Sequence, residues 1–284
     1  MSFAERRIAM QDGLSIYVRD YASNGARLPV VCLHGLTRNS RDFETVAPWL
    51  VSLGRRAIAI DARGRGLSDD DPDPGRYRPD VYLGDALRAL DALGVPRAVF
   101  LGTSMGGVMT MIAATVAASR IAAAILNDIG PEIDPRGLAR IAAYVGKAGP
   151  FATWDEMIAA VKAAQGPLFP GKDDAFWSAF ARRVAREREG KVEFAYDPAI
   201  ARAFAPRGAE PPPSMIPLFT ALAQRPVLVL RGALSDLLSP QGVAAMTRIK
   251  PDLDFAEIPD VGHAPTLDEP EARRAIEDFL AGIE

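Results

Sequence analysis

The chain has 284 residues, of which 49% are hydrophobic, and its 33 lysines and arginines nearly balance 36 aspartates and glutamates, for a formal net charge of −3. This much apolar material can bury a large core, which excludes a disordered protein, and a usual domain size of about 100 to 200 residues allows one large domain or a core with an insertion. Near-neutral charge without a basic block gives no indication of binding to nucleic acid or to an anionic membrane, so we expect a small-molecule partner.

Short apolar runs alternate with helical patterns along most of the chain, which predicts a mostly parallel sheet with helices on both faces. Before the first run, two segments joined at Asp12 and Gly13 are typical of a hairpin. The apolar runs are, in chain order, residues 30–33, 57–60, 98–101, 121–126, 227–230 and 253–258. In the last run acidic residues alternate with apolar ones, as in a strand near the edge of a sheet. The final helix is predicted to begin at Pro270, because the first helical turn accepts proline.

The alternation breaks between residues 131 and 213, where the sequence predicts helices without strands. Thr153 and Glu156 form a capping box at the start of one helix, and an aromatic stripe marks a second helix further on. A proline-rich stretch at residues 210–213 then leads back to the sheet pattern. This window is therefore predicted to be an insertion into the sheet-forming part of the chain.

The insertion divides the chain into two units. We predict an all-helical cap at residues 131–213, inserted into a core domain that consists of residues 1–130 and 214–284. Two of the three tryptophans, Trp154 and Trp177, fall within the cap. They either pack between its helices or face a ligand on its underside, because a helical insertion over a sheet can act as a lid.

Cysteine and histidine are rare, and no targeting segment is apparent. The one cysteine, Cys32, cannot form an internal disulfide, and two histidines are too few for a multi-histidine metal site. The N-terminal segment lacks the apolar core of a signal peptide, and the longest apolar stretch, residues 111–126, is too short for a membrane span. The sequence therefore predicts a cytoplasmic protein without a metal site.

The sequence GTSMGG at residues 102–107 directly follows the apolar run 98–101, and a helical pattern begins directly after it. This is a GxSxG motif between a strand and a helix, where the glycines allow a tight reversal that leaves the serine hydroxyl exposed at its apex. A dinucleotide-binding loop fits less well, because the GxGxxG pattern is absent. The sequence therefore predicts a nucleophile elbow at Ser104, between Thr103 and Met105.

A serine hydroxyl needs a base to take its proton, and histidine suits that role near neutral pH. His263 lies between the last strand and the last helix, and His34 lies in the loop after the first parallel strand. Both loops follow the carboxyl ends of strands, where catalytic groups gather in such sheets. When an elbow of this kind serves a triad, the order along the chain is serine, acid, histidine. We therefore expect His263 to be the base and His34 to lie beside the oxyanion turn.

The third group of a triad must orient the imidazole and stabilise its positive charge. Asp236 follows the apolar run 227–230 and lies between Ser104 and His263 in the chain. Asp128 is the alternative, because it follows the strand that comes after the elbow helix. We favour Asp236 as the acid and assign Asp128 to the junction with the cap.

Acyl transfer develops negative charge on the carbonyl oxygen, which two preorganised N–H donors can stabilise. The backbone amides of Leu36, in the turn after the first parallel strand, and of Met105 are the predicted donors. Because both donors belong to the backbone, their side chains are free to line an apolar pocket. Arg38 lies next to this turn and faces either water or a substrate carboxylate, of which we favour water.

Together these motifs resemble the α/β-hydrolase superfamily over nearly the whole chain. The resemblance rests on LHGL at residues 33–36, DARGRGLS at residues 61–68, the elbow at residues 102–107, and the loops that carry Asp236 and His263. The Ser-Met-Gly-Gly elbow and the helical cap are similar to the branch that holds carboxylesterases, enol-lactone hydrolases and carbon–carbon bond hydrolases. The resemblance implies a triad, two-step acyl transfer and a lid-enclosed site without a cofactor.

Two positions bear on the reaction class within the superfamily. Dehalogenases and epoxide hydrolases of this fold carry aspartate at the elbow, where this chain has Ser104. Carbon–carbon hydrolases more often have asparagine at the position of Thr103, which counts mildly against that class. We expect a serine hydrolase that cleaves small to medium, mainly apolar carboxylic esters or lactones through an acyl-enzyme.

Other readings of the sequence stay open. The same triad could carry carbon–carbon hydrolysis of ring-cleavage products or perhydrolysis, and a binding or receptor protein of the same fold is a further alternative, although a pure binder has no need of a complete triad. A homo-oligomer is also compatible with the sequence. The candidate pocket residues are His34, Arg38, Thr103, Asp128, Trp154 and Trp177.

Overall fold

The computed structural model describes residues 2–204 and 214–284. Its strands are β1 (Ala4–Ala9), β2 (Ser15–Tyr21), β3 (Arg27–Leu33), β4 (Arg55–Ile60), β5 (Ala98–Thr103), β6 (Ile121–Asn127), β7 (Ala185–Arg188), β8 (Lys191–Phe194), β9 (Val227–Gly232) and β10 (Asp254–Ile258). Its α-helices are α1 (Val46–Ser52), α2 (Pro79–Ala92), α3 (Met105–Val116), α4 (Pro135–Tyr144), α5 (Trp154–Gln165), α6 (Asp174–Val184), α7 (Ile216–Leu222), α8 (Pro240–Ile249) and α9 (Pro270–Ala281). Short 3₁₀ helices lie at Ser40–Phe43, Pro74–Arg76, Ala118–Arg120, Gly166–Leu168 and Pro198–Phe204.

Eight strands form one sheet in the order β1-β2-β4-β3-β5-β6-β9-β10. The pairs β1–β2 and β2–β4 are antiparallel, and every pair from β4 to β10 is parallel. The mostly parallel sheet predicted from the alternating pattern is thus confirmed, as are the N-terminal hairpin and the edge position of the last strand. Pro270 begins α9, as its sequence position predicts.

The central strands are apolar on both faces because helices cover both sides of the sheet. In β5, Phe100 belongs to the apolar layer that includes α2, α3, α7 and α8. Its neighbours Val99 and Leu101 belong to the opposite layer, which includes α1, α9 and the helices α5 and α6. The insertion therefore packs against the core in both layers, because Ile141 of its helix α4 belongs to the first layer and α5 and α6 belong to the second.

The register of the parallel strands brings their C-terminal loops together. Leu33 of β3 pairs with Gly102 of β5, so the loop after β3 lies next to the elbow. Thr103 of β5 pairs with Asn127 of β6, and Asn127 pairs with Leu230 of β9. The four loops that follow these strands consequently meet at one edge of the sheet, where open sheets of this kind bind ligands.

The insertion contains a β-hairpin, which corrects the expectation of helices alone. Strands β7 and β8 are antiparallel and joined by Glu189 and Gly190, both of which have positive φ. A two-residue turn with positive φ at both positions matches the twist of a hairpin. The charged residues 182–189 are expected from the sequence to form the solvent-exposed face of a helix. They extend instead from the end of α6 into this hairpin, where the Arg186 side chain donates to Glu193 on the opposite strand.

The capping box at the start of α5 has one of its two expected bonds. The backbone amide of Glu156 donates to the Thr153 hydroxyl, but the Glu156 carboxylate accepts from Ala152 rather than from Thr153. The proline-rich stretch 210–213 lies outside the described residues, so the cap boundary at residue 213 stays a prediction. Among the helices of the described residues, none has the length and apolar character that a membrane span requires.

Candidate active site

The tight turn between β5 and α3 places Ser104 in a strained backbone conformation. Its φ of 50° and ψ of −111° lie in a region that non-glycine residues rarely adopt. The turn fits only with glycine on either side, because a Cβ on Gly102 would lie 2.4 Å from the backbone of Gly106, and a Cβ on Gly106 would lie 2.1 Å from the carbonyl oxygen of Leu33. The glycines of the motif therefore let the serine stand at the apex of the turn.

His263 lies against Ser104, as the chain order predicts. The distance from His263 Nε2 to Ser104 Oγ is 2.9 Å, and the distance from His263 Nδ1 to Asp128 Oδ2 is 2.8 Å. With the imidazole proton on Nδ1, the hydroxyl donates to Nε2 and Nδ1 donates to the carboxylate. This is the arrangement in which a histidine can take the proton of a serine while an acid holds the ring.

The expectation that Asp236 holds the imidazole is wrong, because the structure places Asp128 there. Asp236 accepts two hydrogen bonds from Arg140 of α4, at 2.6 and 2.8 Å from its nitrogens. Burial alone would raise the pKa of the Asp236 carboxyl, but the bonds and charge of Arg140 outweigh burial and lower it. Chain order could not separate the two candidates, because both lie between Ser104 and His263.

The Asp128 carboxylate is fully buried and accepts two bonds besides the one from the histidine. The backbone amide of Gly232 donates to Oδ1 at 2.9 Å, and the hydroxyl of Ser235 donates to Oδ2 at 2.6 Å. Donors of this kind compensate for the burial of a carboxylate. Ser235 was not among the residues singled out by sequence, because nothing in its local pattern indicates which carboxylate its hydroxyl reaches.

The two predicted oxyanion donors lie on either side of Ser104. Met105 is the first residue of α3, and Leu36 follows Gly35, whose Cα lies so near the serine that an added Cβ would be 3.8 Å from Ser104 Cβ. Neither the Leu36 nor the Met105 amide donates to another group of the described residues. Both amides are thus available to an oxygen that carries developing negative charge.

His34 does not line the cavity above Ser104 but holds the oxyanion turn from below. It is buried, its Nδ1 donates to the Gly35 carbonyl oxygen at 2.7 Å, and its Nε2 accepts from the Ala62 amide at 3.0 Å. The bond that Nε2 accepts requires the neutral ring, and burial lowers the pKa of His34. Because the Gly35 carbonyl and the Leu36 amide share one peptide plane, these bonds fix the direction of the Leu36 N–H.

A cavity above Ser104 and His263 is enclosed by the insertion. Its walls are mainly apolar, and Tyr144, Phe169 and Phe194 of the insertion contribute to them. Two of the six pocket candidates, Arg38 and Thr103, line this cavity. An apolar chamber of this kind, with few polar groups near one reactive hydroxyl, is typical of a small-molecule site.

The other candidates lie elsewhere. Asp128 is buried beneath the histidine rather than in the cavity wall, and Trp177 is buried among the aromatic side chains of the insertion, 5.1 Å from Phe176 between ring centroids. The Trp154 ring lies under the Arg182 guanidinium, at 4.5 Å. For both tryptophans, helix packing is therefore the correct alternative.

Arg38 lines the cavity and is about 21% exposed, but its guanidinium is bound to a carboxylate of the protein. Its Nε and Nη2 donate to the Asp42 carboxylate at 2.7 to 2.9 Å, and its guanidinium lies 4.1 Å from the centroid of the Phe180 ring. The carboxylate that it meets is thus one of the protein's own, and the expectation that the exposed part of the side chain meets water stays a prediction. Its charge is balanced by Asp42, and Arg183, the other arginine that lines the cavity, is paired with Glu44, so the surroundings of the cavity are close to neutral.

A buried asparagine that the sequence did not single out joins the elbow to the histidine loop. The side-chain nitrogen of Asn127 donates to the Thr103 hydroxyl at 3.1 Å and to the Pro265 carbonyl at 2.9 Å. The sequence feature that could have indicated a role for Asn127 at the site is its position at the end of β6, next to Asp128. This contact ties the loop of His263 to β5.

Comparison with known proteins places the chain among proteins with this architecture. It is 34% identical to a 3-hydroxybutyrate-oligomer hydrolase of Cupriavidus necator, over 89% of this chain and 88% of that protein. It is 27% identical to a 2-(acetamidomethylene)succinate hydrolase of Mesorhizobium japonicum, over 98% of this chain and 95% of that protein.

Solved structures and family models agree with these relatives. The crystal structure of an alpha/beta hydrolase from Novosphingobium aromaticivorans superposes with a TM-score of 0.92 at 44% identity, covering 99% of this chain and 98% of that chain. The model of the alpha/beta hydrolase fold matches residues 29–270. The chain is a hydrolase that belongs to the alpha/beta hydrolase fold family.

Proposed function

We propose that this protein is a serine hydrolase that cleaves small to medium carboxylic esters through an acyl-enzyme at Ser104. The observation that carries the proposal is the hydrogen-bonded series from Asp128 through His263 to Ser104, which ends in an apolar cavity. A series of this kind activates a hydroxyl that is otherwise a weak nucleophile.

In the first step, Ser104 attacks the ester carbonyl carbon while His263 Nε2 takes the hydroxyl proton. The amides of Leu36 and Met105 bind the oxygen that becomes negative, and Asp128 stabilises the imidazolium that forms. The imidazolium then gives its proton to the leaving alcohol as the carbon–oxygen bond breaks. In the second step, His263 takes a proton from the water that attacks the acyl carbon. The imidazolium then gives this proton to Ser104 Oγ as the bond between the acyl carbon and Oγ breaks and the acid is released.

The substrate class follows from the walls of the cavity and from the relatives. A mainly apolar chamber that is close to neutral suits an uncharged ester or lactone of modest size. The 34% identical relative hydrolyses oligomers of 3-hydroxybutyrate, which are esters of a short hydroxy acid. We therefore rank short hydroxyacyl esters first, simple aliphatic esters second and lactones third.

A second candidate function is hydrolysis of a bond other than an ester by the same residues. It is favoured by the 27% identical relative, which spans nearly the whole chain and is a 2-(acetamidomethylene)succinate hydrolase. Carbon–carbon cleavage and perhydrolysis are further reactions that such a triad could carry out. A cytoplasmic location accords with either candidate and stays a proposal.

The test combines covalent labelling with a substrate series. A fluorophosphonate should label Ser104, identified by peptide mass, and Ser104→Ala should lose both labelling and about 10⁵- to 10⁶-fold of turnover. Thr115→Ala, which removes an exposed hydroxyl that bonds the Ile112 carbonyl on the same helix, is the control. Labelling elsewhere, or a Ser104→Ala variant that keeps its turnover, contradicts the nucleophile assignment.

The substrate series distinguishes the candidates. We expect p-nitrophenyl esters of short acids and dimers or trimers of 3-hydroxybutyrate to turn over, with kcat/KM falling as the acyl chain outgrows the cavity. Lactones, an acetamidomethylene dicarboxylate and ring-cleavage dienoates are compared at equal concentration. If either of the last two is hydrolysed faster than every ester, the second candidate replaces the first.

A further inference from the structure

Arg65 is a buried cation that lies beside the proposed oxyanion hole and has no carboxylate partner within the part of the chain that the structure describes. It lies in the loop after β4, its side chain is almost fully enclosed, and no carboxylate of the described residues forms a salt bridge with it. Its Nη1 donates to the Arg63 carbonyl at 2.7 Å, and its guanidinium lies 4.5 Å from the centroid of the Tyr82 ring and 5.5 Å from that of Tyr77. Carbonyl oxygens and ring faces compensate only part of the cost of burying a charge.

The neighbouring Arg63 is a buried arginine of the same loop whose contacts indicate a structural role. It is equally buried and forms salt bridges of 2.5 to 3.0 Å with Asp12, Asp71 and Asp85. Its charge is more than balanced, and it joins the N-terminal hairpin to α2. Arg65 joins no such elements through ion pairs, so the cost of its burial needs another explanation.

The contacts of Arg65 reach both residues that supply the proposed oxyanion donors. Its Nε donates to the Leu36 carbonyl oxygen at 3.0 Å, and its Nη2 lies 3.9 Å from the Met105 sulfur. The peptide plane after Leu36 is thus held by Arg65, and the plane before it is held by His34 through the Gly35 carbonyl. Holding both planes fixes Leu36, and with it the direction in which its N–H points.

The charge of Arg65 acts on His34 as well. His34 can hold the turn only while its ring is neutral, because its Nε2 must accept from the Ala62 amide. Burial is the main cause of the lowered pKa of His34; the Asp61 charge and the bond to Gly35 raise it, and the Arg65 charge opposes them. An arginine is suited to this place because it stays protonated even when it is buried.

We propose that Arg65 is a positioning residue of the oxyanion hole, which holds Leu36 in place and sets a fixed positive charge behind the two donors. This inference rests on the proposed function, because it assigns Arg65 a part in stabilising the oxyanion of that reaction. Removal of a group that stabilises the transition state but not the bound substrate lowers kcat and leaves KM unchanged.

The chain offers a matched control in Arg55. It is fully buried, forms no salt bridge within the described residues, and donates to carbonyl oxygens of Leu28, Leu280 and Ile283. Its role is structural, because two of these oxygens lie at the C-terminal end of α9, where cations stabilise a helix. Arg65→Met and Arg55→Met therefore remove equally buried charges, of which only one touches the proposed oxyanion turn.

The experiment measures kcat, KM, the rate of inactivation by a fluorophosphonate, and Tm for the wild type and both variants. Arg65→Met should lower kcat and the inactivation rate by about 10- to 100-fold with KM within about twofold, because one oxyanion donor is no longer held in place. Arg65→Lys keeps the charge and should recover part of kcat. Arg55→Met should lower Tm and leave kcat unchanged at temperatures well below its Tm.

The outcomes separate this proposal from the function on which it rests. If Arg65→Met has the same kcat and the same inactivation rate as Arg55→Met, the role of Arg65 is only structural. If Arg65→Met does not fold, Arg65→Lys decides, and a kcat equal to that of the wild type overturns the proposal. A wild-type chain that hydrolyses no ester and takes up no fluorophosphonate overturns the proposed function and this role together.

Discussion

Two neighbouring loops, after β6 and after β9, each place an aspartate at the same edge of the sheet. Asp128 is fully buried and accepts from a backbone amide, from the Ser235 hydroxyl and from His263. Asp236 is partly exposed and forms a two-point ion pair with Arg140 of the insertion. The two aspartates thus occupy equivalent positions on parallel strands, but the carboxylate of Asp128 contacts an imidazole and that of Asp236 contacts a helix.

The difference shows that position at a strand end does not by itself assign a carboxylate to a triad. An acid can orient a histidine when its remaining oxygen lone pairs are occupied by fixed donors, which hold both its charge and its direction. Asp128 meets this condition, whereas the partners of Asp236 tie the core to α4. We expect changes at Asp128 to act on turnover and changes at Asp236 to act on stability.

The largest difference is expected when each of the two aspartates is replaced by asparagine in a separate variant. Asp128→Asn should lower kcat by about 10⁴-fold, because an amide favours the wrong imidazole tautomer and cannot stabilise the imidazolium. Asp236→Asn should keep kcat within about threefold, because its carboxylate does not touch His263. Steady-state kinetics on the best ester checks both. Loss of activity in Asp236→Asn alone would reverse the assignment.

A smaller effect is expected when the donor to Asp128 is removed. Ser235→Ala deletes the hydroxyl that donates to Asp128 Oδ2 at 2.6 Å, and we expect kcat to fall by about 10-fold because the carboxylate is less firmly oriented. Ser235→Thr keeps the hydroxyl and should restore most of the activity. Ser239→Ala, which removes the N-cap of α8 in the same loop, is the matched control and should affect stability only. Equal kcat in the two alanine variants would contradict a role for Ser235.

The ion pair of Asp236 should contribute to stability by a modest amount. Its two side chains are about a quarter exposed, so we expect a coupling free energy of about 1 kcal/mol between Asp236 and Arg140. A double-mutant cycle with Asp236→Asn, Arg140→Gln and the double variant, measured by urea unfolding, gives this quantity. A coupling indistinguishable from zero would mean that the pair does not tie α4 to the core.

The smallest effect is the pH dependence of that pair. Because Arg140 outweighs burial and lowers the folded-state pKa of Asp236, the carboxylate contributes stability above its unfolded pKa of about 3.9, and this contribution is lost as pH falls through the lower folded value. The difference in unfolding free energy between the wild type and Asp236→Asn should therefore shrink below about pH 4. A difference that grows on acidification would contradict the sign of the shift.

Local patterns in the sequence were sufficient to predict much of the fold and part of the candidate site. The apolar runs located the parallel strands, and Gly102 and Gly106 located the elbow, because these features depend on a few consecutive residues. The hairpin at Glu189 and Gly190 was missed, because its strands are short, charged and paired only with each other. Charged residues at helical and at strand spacing cannot be told apart in so short a segment.

The sequence by itself indicated the candidate nucleophile and the candidate base, which the structure places in contact. Ser104 is marked by glycines that only a tight strand-to-helix turn requires, and His263 is one of two histidines and follows the other triad members in the chain. The tertiary structure decided which aspartate contacts His263 and which groups Ser235 and Arg65 contact. The reason is physical: each depends on hydrogen bonds between segments far apart in the chain, and only the packing of β6 against β9 and of the β4 loop beneath the elbow determines which donors meet which acceptors.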